Sequence, residues 1–278
     1  MADEIQSLVD QIDTGRPSVA RMYDHYLGGK DNYAVDRNAA DQMMLAVPES
    51  KEMVRANRAF LVRAVHYMAA ELGIRQFLDI GSGLPTQQNV HEVAQAVSPD
   101  SRVVYVDHDP HAVVHGRALL ATGENTAFVH GDLLRTEDIL KDAKVGELID
   151  FGEPVAVLIV AILHFVSDED DPSGIIEQLH EAMAPGSHLA ISHVLDDPRS
   201  HAIGKILTAS GAPPWYPRPQ EEVVRFFDGF DLVEPGVAVL PRWRPPAPAA
   251  VPLHPAPASA SASADELHWQ VAGIARRD

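Results

Sequence analysis

The chain has 278 residues, enough for one large α/β domain or one domain with additions, and 46% of them are apolar, the share of a globular protein with a full core. Its 40 acids against 22 bases give a formal net charge of −18. Such a surface repels nucleic-acid phosphates and anionic membranes. No cysteine is present, which excludes disulfides, thiolate metal sites and thiol nucleophiles. No apolar run reaches transmembrane length, and the acidic start Met1-Ala2-Asp3-Glu4 lacks a signal-peptide pattern. A cytoplasmic protein that binds neither nucleic acid nor membrane is expected.

Residues 18–72 read as helices ahead of the first strand. Pro17-Ser18 starts one and Gly28-Gly29 breaks it. Residues 53–72 form a long amphipathic run, with Val54, Phe60, Leu61, Ala64, Val65 and Met68 at helical spacing. Residues 1–72 are expected to be a helical cover, and 73–278 the main domain.

A strand is expected at 75–80. It leads into Asp79-Ile80-Gly81-Ser82-Gly83, an acid followed by a Gly-x-Gly turn. Glycine lets backbone approach a ligand closely, because no Cβ intervenes. A helix over 86–97 and a strand over 102–107 follow, the strand ending in Asp107. A carboxylate at that distance and place can accept hydrogen bonds from both hydroxyls of a ribose. The pattern marks a site for an adenosine-bearing cofactor. A dinucleotide fingerprint needs a third glycine, where this chain has Thr86 after Pro85. Asp79 would also repel a pyrophosphate. S-adenosylmethionine carries no phosphate, and its ammonium and sulfonium favour a nearby acid. The residues therefore select S-adenosylmethionine over NAD.

Strand–helix alternation continues. A helix is expected at 110–120, a strand at 126–130, helical structure at 136–143, a buried strand at 155–161, a helix at 173–183 and a strand at 188–194. This order implies a doubly wound, mostly parallel sheet. The last helix spans 219–227. Two final strands, 237–243 and 268–276, form an antiparallel hairpin across a Pro/Ala/Ser-rich connection, 245–264, expected to be a disordered loop.

A parallel sheet closed by an antiparallel hairpin, with Asp-x-Gly-x-Gly after the first strand, resembles the class I (Rossmann-like) S-adenosylmethionine-dependent methyltransferases, whose sheet has seven strands. Pro17 to Asp24, Leu27 to Tyr33, Asn57 to Leu61, Asn89 to Val93, Ala161 to Val166 and Phe226 to Phe230 are similar to segments of one bacterial S-adenosyl methyltransferase family of largely unknown substrate. The resemblance implies that Asp79, Gly81, Ser82 and Gly83 bracket the methionine part of the cofactor. It places Asp107 on the ribose, flanked by His108 or Asp109, and Asp132, with Leu133, at the adenine. Ala161 and His164 would face the transferring methyl.

His164, at the carboxyl end of a buried strand, is the candidate catalytic base; the alternative is a histidine that closes the strand by a backbone bond. Tyr23, Tyr26 and Tyr33 either cover the cofactor as a hinged lid or pack as core. Arg21 and Arg58 are candidates for the cofactor carboxylate. His108, His111 and His115, and the run Asp168 to Asp171, read as an exposed helix face and a solvated helix start, so no metal is expected. Trp215 and Tyr216 sit where an acceptor pocket would be capped. The expected activity is methyl transfer to a small organic acceptor, at oxygen or nitrogen, with S-adenosylhomocysteine as product; the alternative is a cofactor-binding regulatory or structural protein without turnover. A homodimer is left open.

Overall fold

The structure, a computed structural model, describes residues 2–121, 123–245 and 267–278. Four helices come first: α1 (Ala2–Asp10), α2 (Val19–Leu27), α3 (Ala34–Ala46) and α4 (Ser50–Ala70). Then β1 (Gln76–Ile80), α5 (Val90–Val97), β2 (Arg102–Asp107), α6 (Pro110–Leu119) and β3 (Thr126–His130) alternate. Two short helices, α7 (Thr136–Leu140) and α8 (Ala143–Leu148), precede β4 (Ala156–Val160), α9 (Pro172–Ala182) and β5 (His188–Val194). The remainder holds α10 (Pro198–Ser210), α11 (Gln220–Arg225), β6 (Asp231–Leu232), β7 (Ala238–Val239) and β8 (Gln270–Arg276).

Strands β3-β2-β1-β4-β5 run parallel in that order, and β8 pairs antiparallel with β5. Both β6 and β7 pair antiparallel along the outer edge of β8, so among the described residues eight strands occupy seven positions. This is the mostly parallel, doubly wound sheet with an antiparallel end that the sequence predicts.

Side chains alternate across the sheet with the period of two that strands impose. Phe77, Val103, Leu158 and Ile274 meet Phe60, Ala64, Val65 and Met68 of α4 on one face. Leu78, Val104, Val157 and Ile191 meet Val145, Ile175, Leu179 and Phe227 on the other. Helix α4, placed by sequence in a separate cover, thus shares one core with the sheet. A third cluster packs Met22, Tyr26, Ala40 and Met43 of α2 and α3 against Ile203 and Leu207 of α10 and Trp269.

Several boundaries differ from expectation, each for a local reason. Helix α5 starts at Val90, not 86, because Asn89 and Glu92 form a capping box that fixes the first turn. The helix expected over 136–143 is two, since the Asp142 carboxylate takes Lys144 N–H and Val145 N–H to begin the second. The strand expected over 237–243 pairs only at Ala238 and Val239; a 3-10 turn over Leu240–Arg242 follows and carries Trp243 edge-on to Phe60 and Tyr67. Helices α1 and α10 were not foreseen. From residue 246 the expected loop over 245–264 lies outside the described residues.

Gly28-Gly29 ends α2 by a C-cap. Gly28 has φ of 83°, and the N–H groups of Gly28 and Gly29 donate to His25 O and Asp24 O, a helix end that only glycine adopts without strain. The Asp24 carboxylate then takes Asp31 N–H and Asn32 Nδ2.

Candidate active site

In open α/β sheets a crevice forms beyond the carboxyl ends of the strands, where neighbouring crossovers turn to opposite faces. Here that point lies between β1 and β4, and a cavity of about 480 Å³ opens there, within the range of roughly 300–1,000 Å³ of sites that enclose small molecules. One half is polar and belongs to β1–β3: Asp79, Gly81, Ser82, Gly83, Asp107 and Asp132 line it. The other half follows β4 and is apolar, with Ala161, Ile162, Phe165 and Val166 joined by Pro213. The segment from Gln11 to Ala20 and α2 close the outer side.

The glycine turn is locked to β2. Gly81 N–H and Ser82 N–H both donate to Val106 O, at 2.8 and 3.1 Å. Gly81 has φ of 73°, and a Cβ there would stand 2.3 Å from Ile162 Cδ1. Gly83 has φ of 68°, and its N–H donates to Asp107 Oδ2 at 2.7 Å. Asp107 Oδ1 accepts Asp109 N–H at 2.8 Å. Asp107 therefore also holds the turn, and burial raises its pKa. Asp132 Oδ1 accepts Leu134 N–H at 3.0 Å, with Leu133 buried beneath it. His108 is largely exposed at the rim, 3.8 Å from Asp107.

Asp79 is 5% exposed, lines the cavity and accepts no hydrogen bond from the described residues. Burial pushes its pKa up to about 7; Arg58 opposes the rise and Asp107 adds to it. Arg58 donates to Gln87 O and Gln88 O, which fixes the segment after the turn and sets a cation beside Asp79.

Three expected site residues do other work. Arg21 lines the cavity, but its Nε donates to the fully buried Asp36 at 2.8 Å and one Nη to the carbonyls of Asp13 and Arg16. It clamps the outer segment. Tyr23 lines the cavity with its hydroxyl turned away, donating to Val54 O and accepting from Asn57 Nδ2. His164 is not among the cavity's lining residues. The 3-10 turn over Leu163–Phe165 carries it behind Phe165, edge-on to His193 and Trp215. Burial, with His193 and Arg218 adding to it, holds its pKa well below the ordinary histidine value. The expected base is a buried neutral ring outside the site.

The anchors of the outer segment are not legible in the sequence. Ser18 Oγ donates to the Asp109 carboxylate, and Ser18 N–H to Asp36 Oδ1 at 2.9 Å. Pro17-Ser18 reads from sequence as a helix start and as part of the family-like segment Pro17 to Asp24, and no local pattern shows that the partner of Ser18 lies 91 positions on. Among the described residues no group of three or more His, Asp or Glu side chains is placed to hold a metal. No helix among them is long and apolar enough to cross a membrane.

A family model described as S-adenosyl methyltransferase matches residues 6–278. The chain belongs to this family. Two crystal structures are similar over nearly its whole length. A candidate methyltransferase from Thermobifida fusca YX is 42% identical with a TM-score of 0.87, the match covering 96% of this chain and 97% of that one. A DUF574-family protein from Streptomyces avermitilis MA-4680 is 39% identical, also with a TM-score of 0.87, covering 96% and 100%. No curated protein matches the chain. The protein is an S-adenosylmethionine-dependent methyltransferase of class I fold.

The residues present fit that cofactor. Asp79 offers an unbonded carboxyl to a cation. Ser82 Oγ and Thr86 Oγ1 are buried beside the turn without a partner among the described residues, and buried hydroxyls are rarely left so. A Cβ at Gly83 would meet nothing nearer than Ala20 Cβ at 4.0 Å, which leaves room against the turn.

Proposed function

We propose that the methyltransferase acts on a small, largely apolar organic acceptor seated against the β4 half of the cavity. The division of the cavity wall carries this reading: carboxylates and glycines on one side, Ala161, Ile162, Phe165, Val166 and Pro213 on the other. When bound, S-adenosylmethionine supplies an activated methyl on a sulfonium. The chain's residues bind, orient and exclude water. Asp79, between Arg58 and Asp107, would take the cofactor's amino group, Asp107 the ribose, and Asp132 with Leu133 the adenine. Arg58 is the better-placed partner for the cofactor carboxylate, since Arg21 is committed to Asp36.

Among the described residues no titratable side chain belongs to the β4 half of the lining, and His164 lies behind it. An alcohol would need a base there; a neutral amine would not. This supports nitrogen as the accepting atom. The acidic, cysteine-free composition supports a cytoplasmic setting and argues against nucleic acid as acceptor. Nothing in the site or the comparisons favours binding without turnover. The test is incubation of a metabolite extract with methyl-labelled S-adenosylmethionine, followed by locating the label. An N-methyl product of a small apolar amine is expected. A labelled alcohol, or label transferred only to macromolecules, would refute the reading.

A further inference from the structure

We propose that Ser192 and Asn57 are positioning residues for methyl transfer, joined with Tyr23 in one hydrogen-bonded chain that sets the tip of β4. The proposal rests on S-adenosylmethionine occupying the cavity. Ala161, the first residue past β4, has φ of 61°. A residue with a Cβ takes that conformation only where its surroundings impose it.

The imposing contacts run backward from the cavity wall. Ala161 N–H donates to Ser192 Oγ at 2.9 Å. Ser192 lies on β5 and is fully buried. With its oxygen taken by Ala161, its proton goes to Asn57 Oδ1, 2.6 Å away. That fixes the Asn57 amide, whose Nδ2 faces α2 and donates to Tyr23 Oη at 3.0 Å. Tyr23 passes its own proton to Val54 O at 3.2 Å. Gln270 Nε2 approaches Asn57 Oδ1 at 3.4 Å. From Ala161 to Tyr23 the donors point one way, from β4 through β5 and α4 to α2; Tyr23 then returns its proton to α4, and Gln270 of β8 joins at Asn57. Ala161 N–H also reaches Ser192 O at 3.3 Å. Loss of the Ser192 hydroxyl therefore leaves Ala161 with one longer bond and, among the described residues, Asn57 Oδ1 with Gln270 alone. Loss of the Tyr23 hydroxyl takes away the partner of Asn57 Nδ2. Each loss loosens the neighbouring bonds, so the members act as a unit.

Both ends of this chain, Ala161 and Tyr23, line the cavity, whereas Asn57 and Ser192 do not. An apolar filling of the same volume would serve stability as well. A strained residue tied to a directed polar chain makes sense where its place at the cavity edge matters. The chain couples the outer wall, through Tyr23, to the apolar half, through Ala161.

The test measures binding of S-adenosylmethionine and of adenosine to the wild type, Ser192→Ala, Tyr23→Phe and the double variant. Adenosine carries neither the methionine part nor the methyl. Each single variant should lose at least about fivefold in S-adenosylmethionine affinity and keep adenosine affinity within about twofold; the double variant should lose about as much as the worse single one. A fold defect would weaken both ligands together, and that result, or no loss for either, or additive losses, overturns the proposal. Tyr23→Phe removes one hydroxyl from a half-buried ring, so its two affinities decide the matter if Ser192→Ala does not fold. A wild type that binds neither ligand would instead refute the cofactor reading.

Discussion

A carboxyl that is buried and offered no donor holds its proton to higher pH, and Asp79 is in that position. Its pKa is about 7 in the fold, against about 3.9 in an unfolded chain. Between those values the folded state binds the extra proton, so Asp79 makes the ligand-free protein less stable as pH rises from about 4 to about 7, and level above that. Buried histidines act in the opposite sense: burial brings His188 and His193 down to about 4, which costs stability as pH falls. The difference between wild type and Asp79→Asn isolates the carboxyl. Melting temperature of the wild type minus that of Asp79→Asn should fall across pH 4–7; a flat difference would show that Asp79 ionises normally. A bound cation favours the carboxylate, so S-adenosylhomocysteine, which keeps the ammonium, should bind more tightly as pH rises toward 7. The sequence points to Asp107 as an acceptor for the ribose. Its bonds to Gly83 and Asp109 give it a second task. Asp107→Ala should therefore weaken cofactor binding at least about tenfold and also lower the melting temperature, by the loss of two charge-assisted bonds of roughly 1.5–3 kcal/mol each. Calorimetry and thermal unfolding of the same sample check both. The type and spacing of Asp79 and Asp107 were legible in sequence because strand ends place them. The orientation of His164 was not, since a single 3-10 turn decides which way a residue past β4 faces.

At the scale of elements, adjacent glycines read equally well as hinge or cap until their neighbours are known. Gly28→Ala puts a side chain at positive φ with nothing within 4 Å of its Cβ, and should cost about 1 kcal/mol. Gly29→Ala sets a Cβ 1.8 Å from Asp24 Oδ1 and displaces the carboxylate that holds Asp31 and Asn32. It should cost clearly more than Gly28→Ala in urea unfolding; equal costs would mean that Asp24 moves freely. Helix α2 is tied on both sides, so amides of 19–27 should exchange slowly without ligand. The loop over 11–16 is mostly exposed and closes the cavity through Arg21 and Ser18. Exchange there should slow when S-adenosylhomocysteine binds, and unchanged rates would remove this loop from any closing motion. Helix α10 was foreseeable: Asp197-Pro198 is a cap followed by proline at the first turn, and Gly211 ends it with φ of 76°. Its mate in the third cluster, α3, starts instead at a Tyr33–Asp36 capping box and ends at Val47, and only packing shows that the two belong together.

For the whole molecule, strands β1 to β5 follow the expected order because buried strands carry long apolar runs. What composition hid was the debt of the sheet to its first helices. Leu8, Met22 and Tyr26 are buried with residues from the opposite end of the chain. On this packing, deletion of residues 1–33 should yield insoluble or partly unfolded protein, read by circular dichroism and cooperative melting. Calorimetry on the intact protein should show binding of S-adenosylmethionine and S-adenosylhomocysteine and none of NAD. Tighter binding of NAD would contradict the glycine turn as described.

The place of β8 has a bearing on how the chain is made. Every residue of β5 is buried, yet its outer edge is completed by β8, which ends about 80 residues later. At roughly 5–20 residues per second, a ribosome leaves that apolar edge open for about 4–16 seconds. During that interval the growing chain presents unpaired backbone groups on a water-averse strand, a template for another nascent copy. Chaperone demand should therefore depend on how fast the ribosome crosses the proline-rich connection.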